Sequence, residues 1–279
     1  MNTKIFFVLS LLIFVWLLFL VPVGLFSHDS GNTILTISTF LFGILAGFYI
    51  IVTHTDYTEL KNTLAEEAGD WISLYRNTRI YDRLYAEKLS ELIDKYIIHA
   101  FDYEVLDYVK ETEREFSEIE KLVTEMEYRE SLSGLYSEGI IATFNNIVSA
   151  RQKLFVLGGK ALSVFQWFIL FILAGVVIIS LYGLRSGDLF FDIVTVSISS
   201  TTILILLLIR ELDLYIWNEE NFGFGLFQNL LKSMGRLPYY PAEAINKGRV
   251  HYLEKEYRVG ILIDPAKNTD RRIEIKSSF

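Results

Sequence analysis

The sequence predicts an all-α membrane protein: four transmembrane helices, a long helical cytoplasmic bundle, and an optional small β-hairpin at the C-terminus. Three observations point there. Apolar blocks at residues 5–26, 33–52, 164–184 and 190–209 are each about twenty residues long, enough to cross ~30 Å of hydrocarbon as a helix. Residues 54–160 contain no proline and repeat apolar side chains near helical period. Sustained two-residue alternation is confined to the end of the chain. Four segments follow: 1–53 and 161–209 as transmembrane hairpins, 54–160 as the cytoplasmic helical region, and 210–279 as a cytoplasmic C-terminal segment.

Composition supports the membrane class. Of 279 residues, 52% are hydrophobic and 15% aromatic, above the 45–50% apolar content of an average soluble domain. A net charge of −8 argues against nucleic acid, which requires clustered Lys and Arg to neutralise phosphates. With no cysteine, disulfides, thiol chemistry and thiolate-bound zinc are excluded.

The first block follows Lys4 and contains Trp16, with Pro22 near its far end. It exceeds the 7–15 residues of a signal peptide's apolar region and precedes no small-residue cleavage pattern, so it reads as a retained span ended or kinked by proline. A polar loop at 27–32 leads into the second span. There Gly43 and Gly47 form a GxxxG pair, with Thr36 and Thr39 on roughly the same side, a pattern that lets helices pack closely. Phe40, Ile44 and Phe48 lie on a neighbouring stripe at i, i+4, i+8. Such a stripe is ordinarily lipid or core surface; in an oligomer it can form a hydrophobic constriction that gates by dewetting.

Between residues 54 and 160 the apolar positions (Leu60, Leu64, Trp71, Leu74, Tyr81, Leu84, Leu89, Ile93, Tyr96, Ile97 and onward) recur at helical spacing. They predict three or four amphipathic helices, with breaks near 99–103 and 131–134. Residues 104–130 hold ten acidic side chains against Lys110, Arg114, Lys121 and Arg129. A solvated helix face with i,i+4 ion pairs accounts for them, and no calcium-loop pattern is present.

The third span, entered at Gln166 and Trp167, ends in the tight turn 185–188. The fourth carries Asp192, Thr195, Ser199 and Thr202 at spacings of three, four and three, one helical face. Two readings stay open for this polar seam: hydroxyls that pack helices, or a water-lined path. An aromatic and acidic exit follows, with Arg210, Glu211, Asp213, Glu219 and Glu220. Pro238 and Pro241 stop a short helix over 226–234. Then YRVGILID and the tail RRIEIKSSF are strand-like, compatible with a hairpin or with a partly disordered terminus.

The loops at 27–32 and 185–190 hold one basic residue, Arg185, whereas the segment 54–160 and the tail from 210 hold nearly all the rest, including Arg76, Arg79, Arg83, Arg151, Lys153 and Lys160, and those close to the span ends point the same way. The positive-inside rule then places both termini and the helical region in the cytoplasm of a cell-membrane protein. Four histidines, His28, His54, His99 and His251, show no metal-ligand spacing. No nucleotide, zinc-protease or hydrolase motif occurs. Glu66 and Glu67 are adjacent and diverge on a helix, which disfavours acid–base work. The chain reads as no enzyme.

Three stretches carry a family resemblance: EEAGDWISLYRN (66–77), SARQKLF (149–155) and RELDLYIWNEENFGFGLFQNLLKSM (210–234). With the span layout they resemble the bestrophin-like domain family and, more remotely, bestrophin ion channels. The resemblance implies a ring homo-oligomer, expected to be a pentamer, passing inorganic ions along its axis. It places the second span, hence Phe40, Ile44 and Phe48, at a narrow neck. It also sets Glu211, Asp213, Glu219 and Glu220 where bestrophins bind calcium, although more sparsely. No other cofactor is implied.

The leading functional expectation is an oligomeric ion channel, with second and fourth spans lining or supporting the path and acidic cytoplasmic helices favouring cations. The alternative is a non-conducting scaffold or sensor whose cytoplasmic helices bind partner proteins. A transporter fits less well, since the membrane halves are short and show no internal repeat.

Overall fold

The first apolar block forms helix α1 (Thr3–Leu20) in the computed structural model of the chain, which describes residues 3–101, 107–126, 134–159, 161–214, 225–246, 248, 250, 253–262 and 271–277. Pro22 lacks an N–H and ends the helix as the sequence leads one to expect. The chain then turns at Gly24, whose φ of 74° suits glycine. The next apolar block opens α2 (His28–Tyr81), one helix of 54 residues. It runs far past residue 52 because nothing there interrupts helix propensity, no proline lying between Pro22 and Pro238.

The break that ends α2 falls at Asp82, a position the apolar periodicity runs straight through. Asp82 has an extended backbone, and its carboxylate accepts from the N–H groups of Leu84 (2.7 Å) and Tyr85 (3.2 Å). It is the N-cap of α3 (Arg83–Ala100). Beyond it come α4 (Tyr108–Glu111), α5 (Glu113–Thr124) and α6 (Gly134–Leu157). A capping box between Ser163 and Gln166 starts α7 (Val164–Gly183), and α8 (Leu189–Asp213) follows.

Two compact units emerge. In the first, residues 1–57 and 160–217, α2, α7 and α8 are long and apolar enough to cross a membrane, and α1 is a shorter apolar helix. Phe42, Ala46 and Tyr49 of α2 pack with Leu170, Ala174 and Val177 of α7 and Leu206 and Ile209 of α8. A smaller cluster joins Phe14, Tyr182 and Val196. Gly183 is obligatory here: a Cβ would meet the Phe26 ring at 2.2 Å.

The second unit, residues 58–159 and 218–279, is centred on Leu60, Leu64, Trp71, Leu74, Leu89, Ile93, Tyr96, Ile97, Ile119, Ile140 and Ile147, all fully buried. Its C-terminal part holds α9 (Gly225–Ser233), β1 (Tyr239–Pro241), α10 (Ala242–Asn246), β2 (Glu256–Leu262) and β3 (Arg271–Ser277). The expected hairpin is present as the antiparallel pair β2–β3, with Val259 opposite Glu274. The two prolines do more than stop a helix. Between them β1 adds to β2 in parallel, Tyr240 opposite Val259, at a sheet edge where proline costs no ladder bond. Arg258 fastens this sheet to α3 through two bonds to Asp94, at 2.7 and 2.6 Å.

Candidate functional site

Along α2 one stripe faces the core of the first unit and another is left uncovered. Phe42, Ala46 and Tyr49 are at most 6% exposed, while Phe40, Ile44 and Phe48 are 66%, 54% and 56% exposed. The stripe expected at a neck is thus mostly exposed, with the Phe48 ring 5.7 Å from that of Tyr49. Gly43 and Gly47 are uncovered too, with no atom within 4 Å of where a Cβ would stand on either. The GxxxG pair therefore packs no second helix among the described residues.

The polar seam of α8 divides. Thr195, Ser199 and Thr202 are at most 3% exposed, on the side of α8 that packs within the unit. Thr202 donates back to the Ile198 carbonyl at 2.9 Å. Asp192 is half-buried and paired: its two oxygens accept from Arg185 Nε (2.8 Å) and Nη2 (3.2 Å). Arg185 in turn donates Nη1–H to the Leu18 carbonyl at 2.7 Å, satisfying the C-terminus of α1 with a cation. Within one chain Thr195, Ser199 and Thr202 are buried, and the Ser199 hydroxyl has no hydrogen-bond partner among the described residues.

At the exit of α8 the Asp213 carboxylate is engaged by the start of the third span. Asp213 accepts the Leu162 N–H at 2.9 Å and the Trp167 indole N–H at 3.0 Å, one on each oxygen. Both oxygens serve the entry of α7. Glu219 and Glu220 lie outside the described residues, and among those described no three acidic or His side chains gather as a metal site.

The most connected polar group is one that periodicity alone did not single out, Glu67. Adjacent residues diverge on a helix, so Glu66 points outward while Glu67 is fully buried. Its Oε1 accepts from the Trp71 indole (3.2 Å) and the Tyr96 hydroxyl (2.7 Å), its Oε2 from the Tyr108 hydroxyl (2.5 Å). Three donors on two oxygens make a carboxylate cradle. Arg151 donates to the Tyr96 oxygen at 2.5 Å and to the Val109 carbonyl at 2.8 Å, its guanidinium 4.2 Å from the Phe116 ring centre. Burial, then the Glu67 charge, holds the Tyr96 and Tyr108 hydroxyls well above the usual phenol range. Burial works against the Arg151 charge, but Tyr96 and Glu67 outweigh it and raise its pKa. The cradle ties α2, α3, α4 and α6 together. Its sequence signal was there: Glu67 and Trp71, four apart on the stripe of Leu60, Leu64 and Leu74.

Two of the cradle's anchors sit in stretches that carry the family resemblance, Glu67 with Trp71 in 66–77 and Arg151 in 149–155. A profile of the bestrophin-like domain family matches residues 5–214. The chain belongs to the bestrophin-like domain family. Solved structures agree on the fold of this bestrophin-like protein. It is similar to a bacterial bestrophin homologue from Klebsiella pneumoniae, with TM-score 0.64 at 14% identity over 83% of this chain and 99% of that one. A point variant of a Klebsiella pneumoniae bestrophin homologue gives 0.63 at 14% identity, over 82% and 99%. A structure described as a membrane protein variant gives 0.64 at 14%, again over 82% and 99%. No curated protein sequence matches the chain.

Proposed function

We propose that this bestrophin-like membrane protein is a passive ion channel of the cell membrane, built as a ring of identical copies with a pentamer as the expected closure. Four spans with both termini cytoplasmic complete the reading, and cations are slightly favoured over anions. The observation that carries it is the uncovered stripe Phe40, Ile44 and Phe48 on a helix whose opposite stripe is locked into the core. Membership of the bestrophin-like family supports a ring in which such a stripe turns to the axis, where apolar rings constrict and gate by dewetting. Gly43 and Gly47, equally uncovered, suit close approach of a neighbouring copy.

Purified protein in liposomes, assayed by ion flux with mass photometry of the same preparation, tests the proposal. An oligomer of several copies with flux above empty vesicles is expected. Phe40→Ala and Ile44→Ala change that flux, while Ser199→Leu acts only through stability. A monomer or dimer without flux contradicts the channel and leaves the scaffold reading.

A further inference from the structure

The three-stranded sheet of the second unit has two edges, and they are built differently. At one edge, β1 is three residues long, bracketed by Pro238 and Pro241, and its two tyrosines are buried. A short strand flanked by proline is a protected edge. At the other edge, β3 runs for seven residues without proline, and no described strand pairs with its outer side. The backbone N–H and C=O groups on that side are a template for one more strand.

Opposed residues of β2 and β3 share a face of the sheet, so Arg258 and Gly260 share theirs with Ile275 and Ile273. That face is covered at β2, where Arg258 is bonded to Asp94 of α3 and Gly260 stands against the Tyr239 side chain. The cover stops short of β3 and leaves Ile273 45% and Ile275 69% exposed. The other face of β3 carries Arg272, Glu274 and Lys276, alternating in sign, with Arg272 and Glu274 3.1 Å apart.

These charges decide what can lie against the edge. Two identical strands paired antiparallel about a two-fold axis can be centred on any one residue. Centring on Ile273 sets Ile273 opposite itself and Arg272 opposite Glu274 twice, an apolar pair between two opposite-charge pairs. Centring on Arg272, Glu274 or Lys276 sets like charges opposite each other, which destabilises the pairing. Centring on Ile275 sets Glu274 opposite Lys276. A strand bearing one sign of charge would repel its own copy, whereas the alternation in β3 matches it.

We propose that β3 is a self-association edge, taking the β3 strand of a second copy of this chain in antiparallel register about Ile273. The pairing extends the sheet from three strands to six across the two copies. In a five-membered ring no two copies are related by a two-fold axis, so the contact joins a copy in one ring to a copy in another. The family profile stops at residue 214, so this edge is no part of what it matches. The pairing goes beyond the channel reading and does not depend on conduction.

Mass photometry of the full-length protein in detergent tests this, with wild type, Arg272→Glu, Glu274→Arg and the double reversal Arg272→Glu/Glu274→Arg compared. Particles of twice the ring mass are expected in wild type. They fall about tenfold in each single reversal, as two symmetric pairs turn from attraction to repulsion, and return in the double reversal. Rescue belongs to the Ile273 register alone, because in the Ile275 register the double reversal puts arginine opposite Lys276. Ile273→Cys, the one thiol in a chain without cysteine, should oxidise to a cross-linked pair of chains in membranes, and Ile275→Cys much less. Wild type confined to single rings with no Ile273→Cys cross-link overturns the inference and leaves the channel standing. Doubling that survives both single reversals, or an Ile273→Cys cross-link to a different polypeptide only, overturns it as well. Doubling of lone chains without flux, abolished by the same reversals, supports the edge and removes the channel.

Discussion

Arg151 reaches Glu67 only through a tyrosine: the Tyr96 hydroxyl accepts from the guanidinium at 2.5 Å and donates to the carboxylate at 2.7 Å. The hydroxyl thus connects two buried charges that lie on different helices. Replacing it with hydrogen leaves both charges buried and each short of a partner. Tyr96→Phe should destabilise the second unit by about 2–4 kcal/mol, between an unsatisfied polar group and a broken buried pair. Thermal unfolding in detergent measures this; a loss under about 0.5 kcal/mol, within surface-substitution range, would reject the relay.

The same hydroxyls set an alkaline limit. Tyr96 and Tyr108 are held well above the phenol range by burial and Glu67, and burial pushes Tyr239 up to about 12 against the opposing pull of Arg258. Raised values mean that folding binds the proton more tightly than the unfolded chain. The stability they contribute is fully present below about pH 10, the unfolded phenol value, and is lost as pH rises through the folded values. Melting temperatures should hold constant from pH 8 to 9.5 and fall beyond about 10. A fall starting near neutrality would assign the transition to other groups.

Asp192 offers a direct check on which polar groups line a path. Its carboxylate is 19% exposed and paired with an Arg185 that is 5% exposed. Asp192→Asn removes the charge partner of a buried guanidinium and should cost about 3 kcal/mol. Ion selectivity per active channel should stay unchanged. A selectivity shift without loss of stability would return Asp192 to the pore.

Glycines at two places separate protomer from assembly. Gly183→Ala drives a methyl into the Phe26 ring and should destabilise the monomer by about 1–3 kcal/mol. Gly43→Ala and Gly47→Ala meet nothing within the described chain, so any weakening they cause should appear as smaller oligomers in mass photometry. Equal melting losses for all three would contradict the distinction.

Much of this architecture is legible in the sequence, for physical reasons. Long apolar blocks admit few structures in a bilayer, so α7 and α8 fall where hydropathy puts them. Proline at 22 ends α1 because the backbone allows nothing else. Asp82 is not legible as a break because one capping residue carries less signal than the apolar period running through it. β1 is not legible because two tyrosines between prolines have no period at all, and only the pairing with β2 makes a strand of Tyr239–Pro241. The seam of α8 is visible as a helical face, but which side is covered depends on α1 and α7, which spacing cannot encode. Glu67 illustrates the limit most clearly: a charge on a buried stripe looks like an exception until Tyr96, Tyr108 and Arg151 arrive from three other helices.

The central claim, that Ile44 and its neighbours border an ion path, has a direct measurement, because the chain holds no cysteine and a single introduced thiol is unique. Ile44→Cys protein is reconstituted in a planar bilayer and treated with a charged methanethiosulfonate reagent, alongside Thr202→Cys from the buried face of α8. A path lined by α2 predicts that current through Ile44→Cys is blocked within the exposure and restored by reductant, while Thr202→Cys is unaffected. Block at Thr202→Cys with none at Ile44→Cys would contradict it.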